Sequence, residues 1–159
     1  NISANEMLTK EAGKALADAL AANSALKELD VSKNDWYYDG WKGDGLGFAM
    51  ELVAGISANG ALASVNILEN GIPVELAQTL VEIMRSKDLL TTLCGLTGKE
   101  KVLDFSMQRL RAGDAVLIAN DIRDNGALVT LNLRHNDIPD DQKANLERIC
   151  QSKNIDLLL

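Results

Sequence analysis

His135 is the single histidine of the 159-residue sequence, and the two cysteines, Cys94 and Cys150, stand far from it and from one another. One imidazole and two dispersed thiols lack the ligand spacing of tetrahedral zinc, so no metal centre is expected. His135 can reach a carboxylate such as Asp137 or Asp104, and Ser106 would complete a nucleophile, base and acid. That chemistry needs the base in hydrogen-bond reach of the hydroxyl and donors aimed at an oxyanion, whereas any polar sheet carries the same three residue types. Catalysis and cofactors are therefore not expected. The GDGLG at 43–47 has neither the GxGxxG nor the GxxxxGK[ST] spacing of a phosphate loop, and reads as a flexible lead into a helix. Asp137, Asp140 and Asp141 cluster where a helix should begin, and there carboxylates complement the helix dipole without calcium. Cys94 falls on an interrupted strand and is expected to be exposed, while Cys150 continues an apolar helix column and reads as a core residue.

Charge narrows the partner class. With 23 acidic against 16 basic residues the formal charge is -7, which opposes a sequence-independent grip on phosphate backbones, so nucleic acid is not an expected partner. No window approaches the roughly 18 apolar residues of a membrane span, and nothing reads as a signal peptide. Two cysteines without a CxxC fit a reducing, intracellular and cytoplasmic setting better than a disulfide framework.

The elements that position these residues are set by an internal repeat. Leu26, Leu29, Val31 and Asn34 have the spacing of Leu62, Val65, Ile67 and Asn70 and of Leu128, Leu131, Leu133 and Asn136, so LxxLxLxxN occurs three times. Weaker copies supply Ile2 and Asn5 at the start, and Leu103, Phe105 and Gln108 in LDFSMQ. The asparagine positions 5, 34, 70, 108 and 136 are separated by 29, 36, 38 and 28 residues. Two gaps match an ideal unit of about 28 or 29, and two carry insertions, near 35–45 and 94–103.

Between these motifs, apolar residues recur four apart at Leu16/Leu20, Leu52/Ile56, Leu80/Met84, Ile118/Ile122 and Leu146/Cys150, the spacing of one helix face. Asn23, Asn59 and Asn125 stand three residues before the three full motifs and read as left-handed C-caps. Pro73 and Pro139 each stand three residues after a motif asparagine, where proline can open a helix. Gly95 interrupts the strand of LTTLC, which should resume at Leu103.

The pattern resembles the leucine-rich repeats of the ribonuclease-inhibitor-like type, carried by LxxLxLxxN at 26–34, 62–70 and 128–136 and by the adjoining KALADALAANSAL and LVAGISANGAL. The resemblance covers essentially the whole chain. It implies a right-handed α/β solenoid, a horseshoe of about five strand–helix repeats with a parallel concave sheet. It also implies that the motif asparagines bond neighbouring backbone in a ladder, which the longer Gln108 would interrupt. The chain reads as a single domain over 1–159, expected to belong to a longer array because neither end carries a polar cap.

On such a sheet the residues between the inward ones form rows. Asn1, Asp30, Asn66, Asp104 and Asn132 give one polar row, flanked by Ser32, Lys33, Leu68, Glu69, Ser106, Met107, Arg134 and His135. It reads either as a solvated face or as a recognition surface. The insertion holds four of the six aromatic residues: Trp36 occupies a core place, shared with Ile72, Leu110 and Ile138, whereas Tyr37, Tyr38 and Trp41 have none. Tyrosine and tryptophan are enriched at interface hot spots, so these three are candidate partner contacts, the alternative being local packing over the helix at 46–58. The expected function is a protein-interaction scaffold, binding through Asp30, Lys33, Asn66, Glu69, Asp104, Asn132, Arg134, His135 and the three aromatics, and a candidate subunit of a larger assembly. The resemblance also extends to regulators such as GTPase activators and actin-capping repeat domains.

Overall fold

A computed structural model describes residues 1–5, 9–34, 37–38, 41–42 and 45–159. Trp36 lies outside the described residues, as do the side chains of Tyr37, Tyr38 and Trp41. The chain is a mixed α/β structure. Helices α1 (Lys10–Ala21), α2 (Gly45–Ala58), α3 (Val74–Arg85), α4 (Ala112–Asp124) and α5 (Asp140–Lys153) alternate with short parallel strands β1 (Glu28–Asp30), β4 (Ser64–Asn66), β5 (Val102–Asp104), β6 (Thr130–Asn132) and β7 (Asp156–Leu158). Between β1 and α2, β2 (Tyr37–Tyr38) and β3 (Trp41–Lys42) form an antiparallel ladder with Tyr38 opposite Trp41. Among the described residues no helix is long and apolar enough to cross a membrane.

The parallel strands form two small sheets, neither closed, β1–β4 and β5–β6–β7. Their registers follow the sequence motif: Leu29 pairs with Val65, Leu103 with Leu131, and Leu131 with Leu157. The first sheet is widened by irregular neighbours on both sides. Ile2 and Ala4 donate to the carbonyls of Asp30 and Ser32, while Val65 and Ile67 donate to those of Thr92 and Leu93. Alternation puts Leu29, Val31, Val65, Ile67, Leu131 and Leu133 in the core with the helix pairs Leu52/Ile56, Leu80/Met84, Ile118/Ile122 and Leu146/Cys150. Leu26 departs from its equivalents: it is 37% exposed where Leu62 is 2%, so the first position of that motif does not face inward.

The sheets are separated where Gly95 takes φ +71 and ends the pairing of 91–95. The chain resumes as β5, as the glycine implied. Helix α4 spans the break. Gly113 in its first turn lies so close to the carbonyl of Ile72 that a Cβ there would overlap it. Helices α3 and α5 begin directly after Pro73 and Pro139, both extended at φ -71 and -66.

Two sets of asparagines tie successive units together. Asn34 Nδ2 donates to Val31 O and Ile2 O, Asn70 Nδ2 to Ile67 O and Val31 O, and Asn136 Nδ2 to Leu133 O and Phe105 O. Each amide thus closes its own strand end and reaches the preceding one. Asn34 and Asn70 are fully buried and Asn136 is half-buried. The side chain of Gln108 makes no such bond among the described residues; its backbone N–H donates to Asn136 Oδ1 at 3.0 Å.

The second set corrects an expectation. Asn23, Asn59 and Asn125 are not left-handed caps, and Asn125 is extended at φ -73, ψ 111. Their side-chain oxygens instead accept from the N–H groups two and three residues on, at 2.7–3.0 Å, which folds each loop toward the next strand. The left-handed cap belongs to Asn154, φ 56, at the end of α5. Asn59 Nδ2 also donates to Leu20 O and Asn23 O, satisfying the end of α1. Lys87 does the same for α2 through Ser57 O and Asn59 O, and Lys153 for α4 through Arg123 O.

Replacing Asn70 by Ala should cost about 1–3 kcal/mol more than replacing Asn66, because the first strands buried carbonyls and the second trims a half-buried surface amide. Urea unfolding of the two variants measures the difference; equal midpoints would place Asn70 outside the ladder.

Candidate functional site

The residues on the outward side of the strands form the site. Asp30 sits mid-register between Asn1 and Asn66: Asn1 Nδ2 donates to its Oδ2 at 2.9 Å, and Ser32 donates to its Oδ1 from both N and Oγ, at 3.1 and 2.8 Å. Asp104 repeats the arrangement in the second sheet. Its Oδ1 accepts from Asn132 Nδ2 at 3.1 Å, from Ser106 Oγ at 2.7 Å and from Ser106 N at 2.9 Å. The Ser106 bonds foremost, with Asn132, hold the exposed Asp104 carboxyl below the usual aspartate range. Each aspartate is therefore fixed in one rotamer by a local turn and by an amide from the next strand.

The expected row is nonetheless divided. Asn66 faces Cys94 through an isolated bridge rather than Asp104, so Asn1, Asp30 and Asn66 form one group and Asp104 and Asn132 another. Ser32 and Leu68, expected on the flanking rows, are 3% exposed and belong to the interior. Cys94, expected to be exposed, is buried, because the segment 92–94 is drawn against α4; burial, with Asp121 beside it, pushes its thiol well above the ordinary range. Cys150 is a core residue as expected, its thiol raised to about 11 by burial.

A backbone feature recurs one residue before each motif asparagine position. Ala4, Lys33, Glu69, Met107 and His135 all have φ between 54 and 62, left-handed without glycine. Such residues cost of order 1–3 kcal/mol unless the surrounding fold imposes them. After Ala4, Lys33, Glu69 and His135 the asparagine that follows bonds back to its own strand and braces the turn, whereas Gln108 after Met107 makes no such side-chain bond among the described residues; in each case the left-handed residue stands at the strand end. Lys33 and Glu69 occupy these turns in adjacent units and pair at 3.5 Å. Arg134 and His135 are exposed, and among the described residues His135 forms no hydrogen bond or ion pair, with Asp104, Asp137 or any other group. Ser106 Oγ donates to the Asp104 carboxylate, and the His135 ring does not join that pair among the described residues.

Helix α4 contributes two carboxylates absent from the expected site. Asp121 Oδ2 accepts from Thr92 Oγ1 at 2.6 Å and from the N–H groups of Leu93 and Cys94 at 2.9 Å each. Asp114 Oδ1 accepts from Glu69 N at 2.8 Å, and its Oδ2 from Arg111 N at 2.9 Å. The two are seven apart, two turns along one helix face, and their place among the apolar residues of AGDAVLIAND was the available signal. Burial raises Asp121 above 3.8 against the pull of these bonds, and burial likewise raises Glu69 above 4.5 against Lys33.

No protein-family model matches the chain, and no curated protein matches it.

Loss of the Asp121 acceptor should be severe. Asp121→Ala strands a hydroxyl and two amides among residues at most 4% exposed, so about 3 kcal/mol or more of stability should go, readable by urea unfolding. Glu69 supplies a separate test through pH. Its folded pKa exceeds the unfolded value, so the native state binds the proton more tightly; that contribution is complete below about 4.5 and is lost as pH rises through the folded pKa. Glu69→Gln should remove this fall from the stability profile, and a wild-type-minus-variant difference that stays flat as the pH rises above 4.5 would contradict it.

Proposed function

We propose that the chain is a protein-interaction scaffold of the leucine-rich-repeat kind, a right-handed solenoid of about five strand–helix units. Its partner is a protein, bound through the outward strand face and the aromatic insertion of Tyr37, Tyr38 and Trp41. The solenoid reading is supported by the shared parallel register of the motif leucines and by the left-handed residue that recurs before each asparagine position.

The observation that carries the binding reading is the pair of cross-strand locks, Asn1 to Asp30 and Asn132 to Asp104. They leave a polar face whose side chains are ordered before any partner arrives, which lowers the entropy lost on association. A rigid polar face supplies specificity, and tyrosine and tryptophan are residue types that supply apolar contact area to a partner. Two free, buried thiols accord with an intracellular, cytoplasmic setting.

Affinity capture with the full chain followed by mass spectrometry identifies the partner. Combined replacement of Tyr37, Tyr38 and Trp41 by Ser should then weaken capture by about 2 kcal/mol, roughly thirtyfold, with little change in melting temperature. Undiminished capture with an unaltered melt would end the role of the insertion, and a large drop in melting temperature would make it a structural element.

A further inference from the structure

Away from the strand face, the helical side carries a concentration of positive charge that the scaffold reading does not use. A groove of about 300 Å³ runs between α3 and α4 and ends at α5; a second, of about 460 Å³, continues along α5, and Arg123 lines both. Arg85 enters the first groove, and Arg148 and Lys153 the second. Glu82 is the one carboxylate among the residues lining either groove. In a chain of net charge -7 this is an inverted patch.

None of the four cations is ion-paired among the described residues, whereas Lys10, Lys14, Lys33 and Lys143 are, with Glu51, Asp18, Glu69 and Asp140. Two are held by amides. Arg85 Nη2 donates to Asn120 Oδ1 at 3.0 Å, and Arg148 Nη2 to Asn145 Oδ1 at 2.7 Å. Asn120 is 6% exposed and is itself anchored on Asp121 Oδ1 at 3.2 Å, so the Arg85 guanidinium is positioned from inside the fold. Arg85, Arg123 and Lys153 lie in last helical turns, where cations complement the dipole. That term accounts for each one singly, but not for Arg148, for the amides that hold two guanidiniums without neutralising them, or for their convergence on one channel. The first groove has apolar walls at Val81, Val116 and Ala119.

We propose that these grooves form a second docking surface, for an acidic peptide segment of a partner protein, with carboxylates meeting Arg85, Arg123 and Arg148 and an apolar side chain lying between α3 and α4. Guanidinium forks match carboxylates geometrically as well as by charge, and the overall negative charge of the chain repels a longer polyanion such as nucleic acid. The surface is independent of the strand face, so its failure leaves the scaffold reading intact.

The test is fluorescence anisotropy of the full chain with a short labelled Glu- and Leu-rich peptide, its Gln-for-Glu counterpart, and a single-stranded oligonucleotide. The Glu peptide should bind, the Gln peptide should not, and Arg123→Glu should weaken binding about tenfold or more while circular dichroism melts stay unchanged. Arg85→Gln should weaken it less, and Arg134→Gln on the strand face should leave it unaltered. Equal binding of the Glu and Gln peptides, no binding at all, indifference to Arg123→Glu, or tighter binding of the oligonucleotide would each overturn the proposal. If Arg123→Glu lowers the melt, the milder Arg123→Gln takes its place under the same criteria.

Discussion

The rest of the structure depends on one buried carboxylate. Where the sheet is interrupted at Gly95, Asp121 Oδ2 accepts from the backbone N–H groups of Leu93 and Cys94 together with the Thr92 hydroxyl. A buried donor without an acceptor is costly, so without this carboxylate the break could not be buried. With it, two sheets that share no ladder are held to a common helix. Asp114 repeats the device two turns earlier, on the turn at Glu69, and Gly113 lets the helix approach closely enough for both bonds to form.

Elsewhere side-chain amides do the corresponding work. The parallel strands are only three residues long, too short to order their ends alone. Asparagine suits the position because its oxygen and its NH2 face different partners at once: Asn136 accepts from Gln108 and Leu110 while donating to Leu133 and Phe105. At the other strand end, Asn23, Asn59 and Asn125 shape the loops through their acceptor oxygens. Asn70 departs from the pattern, since its Oδ1 is buried without a hydrogen-bond partner among the described residues.

Much of this was legible in the sequence, because period and register are carried by residue type. The leucines of LxxLxLxxN predicted the strands, the apolar pairs four apart predicted the helices, and Gly95 predicted the break. The left-handed turns were not legible: at Lys33, Glu69 and His135 that backbone comes from hydrogen bonds of the next residue, not from anything those side chains prefer. The caps were misread for a related reason, since asparagine can close a helix with its backbone or with its side chain and the sequence does not distinguish them. Exposure at Cys94 was inferred from a broken strand, but the carboxylate that buries it comes from Asp121, 27 residues on. On the strand face, the residue types of the row were readable, whereas its division was not, because spacing along the chain says nothing about which strands actually touch.

The helix ends carry a directional dependence. The carbonyls closing α1 are satisfied by Asn59, those of α2 by Lys87 and those of α4 by Lys153, in every case a residue later in the chain. During synthesis, when the amino-terminal part emerges first, each of these helices therefore waits with an open end until the following segment has left the ribosome. The same dependence makes the carboxyl-terminal side of such a chain the place where fraying begins: losing a later segment uncaps the helix before it, whereas losing an earlier one leaves the later caps in place.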